Sequence, residues 1–167
     1  AAAEAFARVN RMDKRVLGEK GAKIGIVAAG KNWLDVVHGM SLLNICEQEA
    51  KKLGITTYKL VQTWPIDKMS FLEWAEGLEL IVVVEEKRKL IEGQVKEALF
   101  DELKGRRVFG ATKGDAAKPL FHSKGALDAS YIAEELGKIF VEEGFSNDLV
   151  EGGLATLSKA RREENAT

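Results

Sequence analysis

Four short apolar runs, at residues 23–28, 55–61, 80–84 and 107–111, alternate with longer stretches whose apolar side chains return at helical spacing. This order constrains the fold more than any other feature. Strands that are apolar throughout belong in a sheet covered on both faces, and parallel strands need helical crossovers to join them. The pattern predicts an α/β layered domain with a mostly parallel sheet.

The helical stretches can be placed from their periodicity and punctuation. After Gly30, positions Trp33, Leu34, Val37, Met40 and Leu43 recur with helical period, and a second helical piece over 47–53 ends at Gly54, a residue suited to the left-handed cap. Pro65 forces Trp64 into extended backbone and makes "TWPID" a turn. Asp67 or Ser70 is a candidate cap for the next helix, with Ser70 and Glu73 spaced as a capping box and Met69, Leu72, Trp74 or Ala75 facing inward. A longer amphipathic helix places Leu90, Ile91, Val95, Ala98, Leu99 and Leu103 on one face. "TKGDAAKPLFHSKG" reads as a loop, and a last core helix starts near Asp128. Residues 1–20 are expected to be a helical lead-in that does not join the sheet, and 21–144 the α/β domain. Residues 145–167, ending in "SKARREENAT", read as a charged extension or truncated linker.

The 167 residues suffice for one domain with its own core. Lys and Arg total 25 against 26 Asp and Glu, so the net charge of -1 gives no field favouring nucleic acid or an anionic membrane. Cys46 is the single cysteine, which excludes an internal disulfide and a thiolate cluster within this segment. A reducing, cytoplasmic setting follows, and no apolar run approaches the roughly 20 residues that span a bilayer.

Several chemical motifs are suggested and fail in detail. Gly25 to Lys31 has the spacing of a phosphate-cradling loop, and the apolar run 81–84 stops at Glu85-Glu86 as if beside a magnesium ion. Asn32, however, stands where a hydroxyl should meet the metal, and Gly25 lies within a strand, where glycine marks close packing. "AAGKNW" has one glycine where a dinucleotide turn needs three. His38 and His122 have no nucleophile partner and read as surface or core side chains, Cys46 reads as a small buried apolar residue, and Trp33, Trp64 and Trp74 read as core anchors. No catalytic residue and no metal ligand are expected in this segment.

Taken in order, "ARVNRMDKRVL", "AKIGIVAAGKNWLDVVHGM", "LGITTYKLVQTWPID" and "EWAEGLELIVVVEEKRKLIEGQVKEALFD" resemble an internal segment of the long single-chain indolepyruvate ferredoxin oxidoreductases, within the 2-oxoacid:ferredoxin oxidoreductase family. The match covers about residues 5 to 140. It is carried by "GIVAAGK", the "TWP" turn and "VVVEEKRKLIE" with Gln94.

The resemblance implies a transketolase C-terminal-like domain. Such a domain is a three-layer α/β/α sandwich around a mainly parallel five-stranded sheet with one antiparallel edge strand. It also implies a parent enzyme that uses thiamine diphosphate with Mg2+ and 4Fe-4S clusters, none of them bound by this fragment. That enzyme's partners would be ferredoxin, coenzyme A, the thiamine-binding domains of its own chain and a second copy of itself. Gly114-Asp115-Ala116 only echoes the family's diphosphate motif.

Strand carboxyl ends are where ligands and partners of open α/β sheets gather. Thr63, Trp64 and Pro65, with Glu85 and Glu86, are therefore the interface and corner candidates. The expected work of the two glutamates is to bond backbone N–H groups before the next helix. Gly30, Lys31 and Asn32 are the candidates for an anion site at a helix N-terminus, the alternative being a module that binds a phosphate or coenzyme A group.

Overall fold

Residues 24–29 form the middle of the sheet because their side chains find apolar cover on both sides. The computed structural model describes residues 1–86, 89–102, 105–114, 119–121 and 127–167. In chain order the elements are α1 (Ala2–Val9), β1 (Lys14–Arg15), β2 (Ile24–Ala29), α2 (Gly30–Leu42), α3 (Glu47–Leu53), β3 (Ile55–Leu60), α4 (Lys68–Ala75), β4 (Leu80–Val83), α5 (Leu90–Leu99), a 3-10 turn (Phe100–Glu102), β5 (Arg107–Phe109), α6 (Ala129–Glu143) and α7 (Asp148–Ala166). The strand order is β1-β3-β2-β4-β5. Four strands are parallel, and β1 pairs antiparallel with β3 at the edge.

Side chains on β2 and β4 alternate between two cores. Ile24, Ile26, Ala28, Leu80 and Val82 face α2, α6 and α7. Val27, Ile81 and Val83 face α4 and α5, together with Tyr58 and Leu60 of β3. With both faces apolar, alternation alone does not set the register. Gly25 contributes the missing constraint: a Cβ there would lie 2.5 Å from the Trp74 ring. Only a glycine lets this part of β2 pass beneath α4, as its place inside an apolar run implied.

The three-layer α/β/α arrangement and the five-stranded, mainly parallel sheet are those implied by the resemblance. Several local expectations need correction. Lys14 and Arg15 join the sheet, opposite Lys59 and Tyr58, so the lead-in is not separate from it. Residues 148–166 form a helix, α7, whose first half packs on α6 and α2: a Cβ on Gly153 would meet the Leu42 carbonyl at 2.6 Å, while 158–167 are mostly exposed. Small residues at that crossing, not a dense apolar stripe, bring the helices together, which is why the periodic signal fades there.

Helix α2 is rotated from its expected face. Trp33, Val36 and Met40 are buried, while Leu34 and Val37 are exposed. Met69 and Leu90 are likewise exposed, and Ser70 lies inside α4, whose cap position belongs to Asp67. Cys46 is exposed, at the cap position of α3. Trp33 and Trp74 are core residues, but Trp64 is not.

Candidate functional site

In this strand order β2 is followed by a crossover toward β3, whereas β4 lies on its other side. The carboxyl ends of β2 and β4 therefore form the switch point of the sheet, where chains diverge to opposite faces and leave a crevice. Gly30, Lys31 and Asn32 stand on one side of it, at the start of α2. Glu85 and Glu86 stand on the other, after the Val84 amide has made its last sheet bond to the Val27 carbonyl at 2.9 Å.

Glu85 caps α5 from a distance of six residues. Its two carboxylate oxygens accept from the Ile91 amide at 2.9 and 3.1 Å, and one also accepts from Glu92 at 3.3 Å. A helix N-terminus offers unpaired N–H groups and a partial positive charge, so a carboxylate there orders the corner. Burial pushes the Glu85 carboxyl above its ordinary value, against the lowering effect of the Ile91, Glu92 and Leu90 amides. The next turn is tied down by buried Glu92, which accepts from Lys96 at 2.6 Å and from the Ala111 amide at 2.9 Å.

Across the crevice Lys31 is bound to its own chain. Its Nζ donates to Asp35 Oδ2 and to the Leu127 carbonyl, both at 2.7 Å. The bond to Asp35 raises the Lys31 pKa, with Glu86 and Asp128 adding their negative fields. Asn32 Oδ1 is buried without a partner among the described residues. Gly30 has φ +55°, with open space where a Cβ would stand.

This donor set does not suit a magnesium diphosphate. The Glu85 oxygens are engaged by amides, Lys31 is paired with Asp35, and among the described residues no three His, Cys, Asp or Glu side chains gather. Asp115 and His122 lie outside the described residues. His38 is exposed on α2.

The turn Thr63-Trp64-Pro65 is the other arm of the strand-end surface. Gln94 of α5, itself buried, donates to the Thr63 carbonyl at 2.8 Å and accepts from the Ile66 amide at 3.0 Å. Gln62 donates to the Pro65 carbonyl at 2.6 Å and to the Ala3 carbonyl of α1 at 3.1 Å. Just beyond, Asp67 accepts from Arg8 at 2.7 Å. The Trp64-Pro65 bond is cis. Trp64 projects from this clamped backbone with 67% of its surface exposed. Gln62 and Arg8 carried no signal in the sequence, and Asp67 was legible only as a helix cap, because polar residues beside a turn suggest solvent until their partners are known.

The fold is an open α/β module with the candidate site at the carboxyl ends of the parallel strands. A family model described as "Indolepyruvate oxidoreductase domain" matches residues 14–164, and the chain belongs to that family. Among solved structures it is similar to a 2-oxoglutarate:ferredoxin oxidoreductase from Magnetococcus marinus with 2-oxoglutarate, coenzyme A and succinyl-CoA bound (14% identity, TM-score 0.50, covering 84% of this chain and 21% of that one). It is also similar to a split gene transketolase described as an inactive beta4 tetramer (18% identity, TM-score 0.47, 85% and 41%). The chain thus spans less than half the length of either. No curated protein sequence matches it.

Proposed function

We propose that this chain is a non-catalytic structural and interface domain of an indolepyruvate-type 2-oxoacid ferredoxin oxidoreductase. The whole enzyme would use thiamine diphosphate, Mg2+ and 4Fe-4S clusters to convert an aryl 2-oxo acid and coenzyme A to acyl-CoA, CO2 and reduced ferredoxin in the cytoplasm. The observation that carries the reading is Trp64: a large aromatic side chain exposed on a turn clamped from two sides. Binding on such a side chain sacrifices little backbone entropy, and buried Trp residues dominate interface energetics. Thr63 and Pro65 set its position, and the corner at Glu85 and Glu86 forms the adjoining edge. The partner would be a thiamine-binding domain of the parent enzyme or its second copy.

The test is Trp64→Ala in the intact polypeptide that carries these residues, followed by sedimentation over a concentration series. Assembly should weaken by at least about tenfold, as expected for an interface hot spot, with thermal stability little changed. Unaltered assembly sinks the interface role. In a separate preparation of the 167-residue segment alone, stoichiometric binding of thiamine diphosphate would sink the non-catalytic role.

One observation favours the alternative, a phosphate or coenzyme A site at Gly30, Lys31 and Asn32: the first turn of α2, whose N–H groups have no intrahelical partner, starts beside the switch-point crevice. Against it stand Asp35, Glu86 and Asp128 around the only cation of those three residues. Titration calorimetry with coenzyme A separates the two readings, because heat that is lost in Lys31→Ala supports the anion site and silence rejects it.

A further inference from the structure

At the β1 edge of the sheet, away from the switch point, a cavity of about 240 Å3 is lined by Arg11, Asp13, Lys14, Lys20, Tyr58 and Trp74, among others. Asp13 and Tyr58 are core residues, 8% and 2% exposed. One oxygen of Asp13 is well satisfied, accepting from the Val61 and Gln62 amides at 2.7 and 3.1 Å. Its other oxygen, Oδ2, has no partner among the described residues, and neither has the Tyr58 hydroxyl. A buried polar atom left unpaired costs about 1–3 kcal/mol, and two beside one cavity call for an explanation. Burial pushes the Asp13 carboxyl up despite the two amides, which marks it as under-satisfied.

The rim has the opposite character. The side chains of Arg11, Lys14 and Lys20 have no hydrogen-bond or ion-pair partner among the described residues, whereas Arg15 is fixed to the Thr56 hydroxyl at 3.2 Å. The floor thus wants a donor for Asp13 and an acceptor for Tyr58, and the rim, where Arg11, Lys14, Arg15 and Lys20 face the one carboxylate of Glu73, wants an anion. One wall is aromatic, with the Tyr58 and Trp74 rings stacked 4.8 Å apart.

We propose that this cavity binds a small carboxylic acid bearing a hydrogen-bond donor on its α-carbon, an α-hydroxy or α-amino acid. Its carboxylate lies among Arg11, Lys14 and Lys20, and its hydroxyl or ammonium group reaches Asp13. The Tyr58 hydroxyl donates to the ligand from the floor. A phosphate dianion fits less well, because the buried Asp13 carboxylate would repel it. Both floor atoms are sealed from bulk water in the structure, so the long rim side chains swing aside as the ligand enters, and the bonds then form without solvent competition.

The test is calorimetric titration of the intact polypeptide with L-lactate, L-alanine, propionate and inorganic phosphate at millimolar concentration. Lactate or alanine should bind at least about tenfold more tightly than propionate, which lacks the donor, and than phosphate. Tyr58→Phe, which keeps the ring, and Asp13→Asn, which keeps an oxygen for the Val61 and Gln62 amides, should each weaken that binding by at least about tenfold. Comparison with these variants separates the cavity from any other acid-binding site in the polypeptide. Equal binding of all four probes would reduce the site to a basic patch and overturn the proposal. So would an affinity unchanged in Tyr58→Phe, or no binding of lactate and alanine.

Discussion

The carboxamide of Gln94 on α5 bridges the two ends of the turn that carries Trp64, donating to the Thr63 carbonyl at 2.8 Å and accepting from the Ile66 amide at 3.0 Å. A buried side chain with one donor bond and one acceptor bond to a turn works as a strut. The turn's conformation is therefore a property of α5 as well as of its own sequence.

Replacing the strut tests this. Gln94→Leu keeps apolar volume but strands the Thr63 carbonyl and the Ile66 amide, and each orphaned buried group costs about 1–3 kcal/mol. Urea unfolding should give a loss of about 2–4 kcal/mol. Hydrogen exchange should show the Ile66 amide losing protection while the β2 amides keep theirs.

Glu85 gives a second test, because burial and capping act on it in opposite directions. Glu85→Ala removes the acceptor for the Ile91 amide and should lower stability by about 1–2 kcal/mol, the scale of a lost helix cap. Glu85→Gln retains an acceptor oxygen and removes the buried charge, so its loss should stay within about 0.5 kcal/mol near pH 7. Glu86 has no such bond to α5, and Glu86→Ala should leave unfolding unchanged. If Glu86→Ala were the damaging change, the corner would be held differently.

Strands β2 to β5 and helices α2 to α6 were legible because each rests on a local property: apolar runs of strand length, helical periodicity, and glycine after α3. The capping role for Glu85 could be anticipated for the same reason, since a carboxylate before a helix has few other uses. What was not legible depends on partners distant in the chain. Lys14 and Arg15 have no apolar signature, and their strand exists only because β3 offers a free edge. Gln62 and Arg8 looked like solvated polar residues, and Asp67 could be read as the cap of α4 but not as a carboxylate almost fully buried beneath Arg8. The facing side of α2 was misplaced because apolar residues occur on both sides of that helix, so periodicity alone could not choose between Leu34 and Val36.

Gly25 provides a test of packing. With a Cβ position 2.5 Å from Trp74 and 2.6 Å from Leu78, Gly25→Ala forces α4 away from the sheet. Overpacking of this kind costs about 1–3 kcal/mol. Trp74→Phe alone should also destabilise, through the smaller ring and the lost bond to the Thr56 hydroxyl at 3.3 Å. The double substitution should cost less than the sum of the two, because the smaller ring leaves room for the new methyl group. Strict additivity in a double-mutant cycle would show that the strain lies elsewhere.

The acid limb of unfolding should be governed in part by Arg8 and Asp67. Burial pushes the Asp67 carboxyl up, but the bonds from Arg8 and Ser70 outweigh it and hold the folded-state value below that of a free aspartate. A carboxyl depressed on folding contributes stability that is complete above its unfolded value, about 3.9, and is lost as the pH falls through the lower, folded value. Arg8→Met removes the cation over a buried carboxylate. The loss near pH 7 should be about 1–3 kcal/mol, smaller than for a fully buried pair because Arg8 is itself partly solvated. Asp13, whose charge also bears on this region, has a carboxyl raised by burial and acts in the opposite sense, favouring the folded state at low pH. The stability difference between native and Arg8→Met proteins should therefore be largest near neutral pH and shrink as acidification protonates Asp67, first in the variant and then in the native protein. Chemical unfolding from neutral to acid pH measures it, and a difference that grows on acidification would contradict the assignment of Arg8 as the group that holds Asp67 ionised.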